Sequence, residues 1–351
     1  MKMKEYFKIT VSRDTYGEYV YFLKDEYNKI DRVFDQRFAE NKSPGRKGNG
    51  KEYEATKDDL DGKILEFKNI IQEIEEKEKP KELTQDQAKQ LQKLFGLTLG
   101  NAYLRLAQCV GEKFEDNRLY NQKAAAYLEG TITDYSISAP EDEIDLLLLL
   151  NKGKYFRNTA RIGNNSVYEK SLQIFEEVIY YANNIAGNEN RKTENDFLKA
   201  IEHIKLDALI NIGRAKRYAY DFDGAMNIFF TVINQLKPVF DKLKTKSEEL
   251  DKLVSNLKLE NKYTPENIYG IKKEFTEAYF TDYLLQALIH MGIIYRKRRD
   301  YTTAEKIFNL VNAIDGDPTQ KNIDAQNNLG VCYRKMPEKQ SEVEKTLKES
   351  I

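Results

Sequence analysis

Residues 291–308 read MGIIYRKRRDYTTAEKIF. Gly292 interrupts an apolar helical stretch, Tyr295 follows three residues later, and Ala304-xxx-Phe308 comes after a short polar break. Leu288, Met291, Gly292 and Tyr295 recur at helical spacing until Arg299-Asp300-Tyr301; Ala304, Ile307, Phe308 and Val311 then resume it until Asp315-Gly316-Asp317-Pro318. The spacing predicts two helices joined by a tight turn. A glycine inside a helix costs about 1 kcal/mol relative to alanine, so Gly292 calls for a packing reason, and close approach of the second helix supplies one.

The same register returns upstream. NIGRAKRYAYDFDGAMNIFFTVI, residues 211–233, carries Gly213, a turn at Asp221-Phe222, then Ala225, Phe229 and Val232. Gly213 to Ala225 is 12 residues, as is Gly292 to Ala304, and a further copy opens at Leu329-Gly330 with Tyr333. Looser copies hold Gly153 and Phe156 with Tyr168, Ser171, Phe175 and Val178, and Gly100 and Tyr103 with Ala124 or Ala125 and Leu128.

These residues resemble the tetratricopeptide repeat, whose consensus runs small-large-Gly-xx-Tyr, an Asp-Tyr turn, then Ala-xxx-Phe and a closing proline. The resemblance implies an all-α fold: a right-handed superhelical solenoid of antiparallel helical hairpins, in which glycine and alanine admit close packing and the aromatics wedge the next hairpin. The structural repeat positions are Gly100, Gly153, Gly213, Ala225, Phe229, Gly292, Tyr295, Ala304, Phe308, Gly330 and Tyr333. Glycine-to-glycine steps of 53, 60, 79 and 38 residues depart from the usual period of about 34, so the array is irregular and carries insertions.

The array is expected over residues 81–351, with residues 1–80 as an N-terminal helical pair around a flexible loop at 41–51. Tyr19, Leu23, Tyr27 and Ile30 mark the first helix of that pair, and Leu60, Ile64, Phe67, Ile71 and Ile74 mark the second. Tyr6 to Val11 alternates weakly like a strand. Thr84 to Gln87 fits a capping box. Leu250, Leu253 and Leu257 share a helical face, and Thr264-Pro265-Glu266 reads as the start of a helix reaching Arg298. Pro337 to Ile351 reads as the second helix of the last repeat, with Val343 and Leu347 inward, and solenoid ends need a polar cap. Either that hairpin caps itself or the array continues in a longer parent protein.

Composition narrows the function. The 56 Lys+Arg and 57 Asp+Glu nearly cancel, so no global field draws the chain to nucleic acid or anionic lipid. No signal-peptide core or membrane-length apolar run is present, and two cysteines among 351 residues provide no disulfide framework, which points to the cytoplasm. Gly45, Gly50 and Lys51 have phosphate-loop spacing, but Glu52 stands where magnesium needs a hydroxyl, and the stretch reads as a linker. His290 and Cys332 allow a Cys-His pair by position, yet no third orienting group accompanies them, so packed residues are the plainer reading. Glu141-Asp142-Glu143 reads as a helix cap rather than a metal site. Neither catalytic residues nor a metal or cofactor are expected.

One constellation carries a binding reading. An arginine stands four residues after each of four register glycines: Arg157, Arg217, Arg296 and Arg334, with Lys297 and Lys335 beside the last two. In the resembled family this position faces the concave groove, which implies a partner site for an acidic or extended segment. A structural reading competes, because cations in the last turn of a helix gain roughly 0.3–1 kcal/mol from the dipole. The resemblance implies a protein-interaction scaffold, and irregular prokaryotic arrays of this kind often join an effector or signalling module as a regulatory arm. A cytosolic sensor of a small peptide or nucleotide, and a nucleic-acid-associated protein using RKRR at 296–299, are the alternatives.

Overall fold

The structure, a computed structural model, describes residues 14–40, 50–110, 115–130, 140–160, 165–187, 195–241, 252, 255–256, 279–314 and 323–342. Among these, all regular structure is helical: eleven α-helices, one 3₁₀ segment and no strand. No helix among them is long and apolar enough to cross a membrane. The weak strand pattern at Tyr6–Val11, the leucine face at 250, 253 and 257, and the Thr264–Glu266 helix start lie outside the described residues.

The chain divides into two compact units, residues 3–208 and 209–351. The first contains α1 (Thr15–Glu40), α2 (Gly50–Glu76), α3 (Gln85–Val110), α4 (Glu115–Leu128), α5 (Glu143–Ala160), α6 (Asn165–Gly187) and the front of α7 (Asn195–Tyr218). Both boxes read from the sequence close helix starts. The Thr84 amide donates to Gln87 Oε1 at 3.0 Å while the Gln87 amide donates to Thr84 Oγ1 at 3.3 Å, which opens α3. At α5 the Asp145 amide donates to Asp142 Oδ1 at 2.9 Å and the Asp145 carboxylate accepts from the Glu141 amide at 3.1 Å. Asp142 of the acidic run therefore caps α5, and Asp145 adds a second bond to the Glu141 amide.

Helix α3 packs against α1, α2, α4 and α5. That position explains its sequence: every residue from Gly96 to Leu104 is buried, as a helix surrounded by others requires. The core around it is built from Leu23, Tyr27 and Ile30 of α1, Phe67, Ile70 and Ile74 of α2, and Leu146, Leu147 and Leu150 of α5. Burying each such side chain is worth about 1.5–3 kcal/mol.

The second unit holds the rest of α7 with α8 (Phe222–Asp241), α9 (Tyr279–Lys297), α10 (Tyr301–Ile314), α11 (Ile323–Tyr333) and a 3₁₀ segment, Pro337–Glu342. Helix α9 packs on α8, α10 and α11. Two turns in this unit are built alike. The Asp221 amide donates to Lys216 O at 3.0 Å across left-handed Tyr220 (φ 64°), and the Asp300 amide donates to Tyr295 O at 3.0 Å across left-handed Arg299 (φ 67°). Each aspartate then caps the next helix, Asp221 Oδ1 accepting from the Gly224 amide at 2.9 Å and Asp300 Oδ1 from the Thr303 amide at 3.0 Å. One turn thus ends a helix and starts another with its polar groups satisfied.

Four register glycines lie under the leucine or phenylalanine of the following helix, where the resemblance implied an alanine in that contact and the aromatics against the next hairpin. A Cβ built on Gly100 would lie 2.6 Å from Leu128 Cγ, and one on Gly153 would lie 2.5 Å from Phe175 Cε1. The corresponding contacts are 2.5 Å from Gly213 to Phe229 Cε1 and 2.6 Å from Gly292 to Phe308 Cε1. Real Cβ atoms do not approach carbon so closely, so each site requires glycine while its neighbour holds that place.

The last repeat departs from expectation. Pro337, which cannot donate a backbone hydrogen bond, opens a 3₁₀ segment rather than an α-helix, with the Lys339 amide donating to Met336 O at 3.0 Å. Val343 and Leu347 lie outside the described residues.

Candidate functional site

Each register arginine has its own surroundings. Arg157, in the first unit, is 4% exposed and donates from Nη2 to Asn158 Oδ1 at 2.9 Å. In the second unit Arg217 is 6% exposed and its guanidinium lies 4.5 Å from the Tyr218 ring centroid. Arg296 is half-buried, with a buried Nε that meets no hydrogen-bond acceptor among the described residues. Arg334 and Lys335 are exposed. Helix α11 ends at Tyr333, so Arg334 stands in the turn beyond it, where its Nε donates to Gly330 O at 3.3 Å. It therefore differs from Arg157, Arg217 and Arg296, which lie inside their helices.

Lys297 of α9 reaches the turn that follows Arg217 on α7. Lys297 is held below the ordinary lysine range, first by partial burial and then by the guanidiniums of Arg217 and Arg296, with Tyr218 opposing. A lysine that feels two arginines this way marks a local concentration of positive charge contributed by α7 and α9. The Lys297 Nζ also lies 5.0 Å from the ring centroid of Tyr220, which is 73% exposed on its left-handed turn. Beside it, Arg298 Nη2 bonds Asp223 Oδ1 at 2.7 Å and Lys216 Nζ bonds Asp221 Oδ2 at 3.1 Å. The arrangement grades from a buried guanidinium at Arg217 to an exposed ammonium at Lys297, the profile of a site that can strip water from an anion.

Of the pair allowed by position, His290 packs on an aromatic ring and Cys332 is fully buried, with Arg296 and Glu305 acting on its thiol. The His290 ring lies 5.3 Å from that of Phe229, and burial pushes the Cys332 thiol up to about 11, which keeps it protonated at neutral pH. Among the described residues no group of three His, Cys, Asp or Glu could hold a metal ion. Gly45 to Asn49 lie outside the described residues, and α2 begins at Gly50.

A second polar group, in the first unit, went unread in the sequence. Asn151 Nδ2 of α5 donates to Tyr27 OH of α1 at 3.1 Å; Asn101 Nδ2 and Arg105 Nη2 of α3 donate to Asp31 Oδ1 of α1 at 3.2 and 2.9 Å; Lys154 Nζ of α5 bonds Asp207 Oδ2 of α7 at 2.9 Å. Asn101 and Asn151 are fully buried. Burial holds Lys154 below the ordinary lysine range, with Asp207 opposing, and raises Tyr27 well above the ordinary tyrosine value. The signal was available in the register: Asn151 precedes Gly153 by two residues, and Asn101 and Lys154 each follow a register glycine by one.

Comparison with protein-family models, with curated proteins and with solved structures returned no match.

Proposed function

We propose that the chain is a tetratricopeptide-like protein-interaction scaffold without catalysis of its own, serving as a cytoplasmic regulatory or sensor arm of a larger bacterial effector or signalling system. Its helix pairs would be antiparallel hairpins stacked as a right-handed solenoid. The supporting observation for that architecture is the four glycines seated under Leu128, Phe175, Phe229 and Phe308. The partner would be an acidic or extended segment held by Arg217, Arg296 and Lys297.

The observation that carries the binding reading is the approach of α9 to the end of α7, where Lys297 Nζ lies 5.0 Å from the Tyr220 ring centroid and the Arg217 guanidinium 4.5 Å from that of Tyr218; like charges gathered there cost energy that an anionic partner recovers. Arg157, buried in the first unit, has no part in it, and Arg334 and Lys335 would add only exposed, screened charge.

Fluorescence anisotropy with a labelled Glu/Asp-rich peptide and a Lys-rich peptide of equal length tests the proposal. The acidic peptide should bind, and Arg296→Glu with Lys297→Glu should weaken it by about tenfold or more with an unchanged melting temperature. Equal binding of both peptides, or of the acidic peptide to wild type and variant, rejects it. Arg217 is left intact because reversing a buried charge would perturb folding as well.

A further inference from the structure

The acidic-segment reading leaves open which anion suits the α7–α9 cluster best. Three features bear on this. Arg217 enters from α7, where only 6% of it is exposed, and its face is set against the Tyr218 ring at 4.5 Å. Arg296 enters from α9 with its Nε buried and, among the described residues, without an acceptor. Lys297, next in sequence, is exposed over the Tyr220 ring, two residues beyond the Tyr218 ring that Arg217 faces. The half-buried Arg296 and the exposed Lys297 therefore stand together on α9, with the nearly buried charge of Arg217 at the adjoining end of α7.

A single carboxylate brings one charge and two oxygens, which is one fork's complement. A phosphomonoester brings about −1.5 to −2 charges at neutral pH and three strong acceptor oxygens around one centre. Three cations at this end of α7 and α9 match the second group in charge better than the first. Extended acidic segments spread their carboxylates along a chain, whereas these cations belong to residues 217, 296 and 297 of just two helices.

We propose that the Arg217, Arg296 and Lys297 cluster receives the phosphate of a phosphorylated serine or threonine in the partner segment. This rests on the reading of the same cluster as a partner site. Arg296 and Lys297 would grip the phosphate oxygens from α9, Arg217 would supply the buried charge beneath them, and exposed Tyr220 would flank the segment's chain. The proposal concerns recognition alone; no bond is made or broken.

The test uses the full chain immobilised and three degenerate peptide pools that differ at one fixed central position, holding phosphoserine, aspartate or serine. A single-stranded RNA homopolymer serves as a fourth probe. The phosphoserine pool should be retained at least about tenfold more than the aspartate pool, and free inorganic phosphate should elute it. Arg296→Met with Lys297→Met should abolish that preference, while Lys306→Met, on an exposed position of α10, should leave it unchanged. Circular dichroism melting of the variants shows that the fold persists.

Equal retention of the phosphoserine and aspartate pools overturns the phosphate assignment and leaves the acidic-segment reading standing. Retention of no pool overturns both. Tighter retention of RNA, lost in the same double variant, overturns both in favour of nucleic acid.

Discussion

Replacing Gly292 with alanine tests the packing on which the fold depends. On a solvent-facing helix the change is favourable by about 0.8–1 kcal/mol, because alanine loses less backbone entropy. At Gly292 the new methyl would sit 2.6 Å from Phe308 Cε1 and 2.7 Å from Cζ. Carbon atoms in contact prefer about 3.5–4.0 Å, so the ring must retreat by roughly 1 Å or the helices must part. Phe308 is fully buried and has nowhere open to go. Overpacking of this kind costs about 1–3 kcal/mol, which outweighs the propensity gain and leaves a net loss of about 1 kcal/mol.

Gly62 is the control, an exposed position of α2 where an added Cβ meets nothing within 4 Å. Gly62→Ala should stabilise by about 0.5–1 kcal/mol, so the two variants differ in sign. Urea denaturation followed by circular dichroism at 222 nm and by tyrosine fluorescence measures both, each against the wild-type transition. The cause is isolated by Phe308→Leu, which removes the offending ring atoms. In the Gly292→Ala background this second change should cost less than it does alone, with a coupling of about 0.5 kcal/mol or more. A Gly292→Ala variant as stable as Gly62→Ala, or a cycle that adds within about 0.3 kcal/mol, would refute the nesting of α10 on α9.

Three further outcomes are expected. Lys154→Met leaves Asp207 buried without its ammonium and should cost about 3–5 kcal/mol by denaturation, whereas adding Asp207→Asn should restore a large part; a single-variant loss below about 1 kcal/mol would show that the ion pair is not holding α5 to α7. Asp300→Ala removes the acceptor of the Thr303 amide at the start of α10 and should cost about 1 kcal/mol, seen as a melting decrease of roughly 2–4 °C, while unchanged melting would mean that water replaces the cap. Burial, aided by Glu75, raises Tyr127 from 10.0 to about 12, so the folded chain keeps a proton that the unfolded chain gives up first. Stability from this source is complete below pH 10 and should fall as pH rises toward 12; absorbance at 295 nm should show its ionisation delayed in the folded protein, and a titration complete near 10 would contradict the burial.

The helical pairing was legible because it depends on size at regular positions. Gly213 and Gly292, with Ala225 and Ala304 twelve residues later, state that two helices approach closely, and Asp221 and Asp300 state where the chain turns; that Phe229 and Phe308 cover the glycines came from the structure. Polar residues are harder to read, since the same side chain serves at a surface, in a cap or in a buried network according to what faces it. Arg157 and Arg217 share a register with Arg334, yet the first two are buried and the last is exposed. Pro337 accounts for part of that difference, because it lies just beyond α11, which ends at Tyr333 and leaves Arg334 in the turn. Asn101 and Asn151 escaped notice because their partners, Asp31 and Tyr27, lie 70 and 124 residues away.

The carboxylates that face the cations beside the register glycines account for the contrast between the two units. In the first, the groups beside those glycines are basic or neutral and the carboxylates come from other helices: Asp31 of α1 meets Arg105 and Asp207 of α7 meets Lys154, so the polar groups can be buried among themselves. A neutral, mutually bonded set tolerates loss of water. In the second, the matching positions are Arg214, Arg217 and Arg296, with Lys297 beside them; Asp324 acts on Arg214, and Lys297 feels Arg217 and Arg296. Closing such a stripe would press like charges together in a medium of falling dielectric. Arg296 therefore stays half-buried and Lys297 exposed. One register yields a sealed polar group where carboxylates from neighbouring helices answer its cations, and a half-buried arginine beside an exposed lysine where cations adjoin.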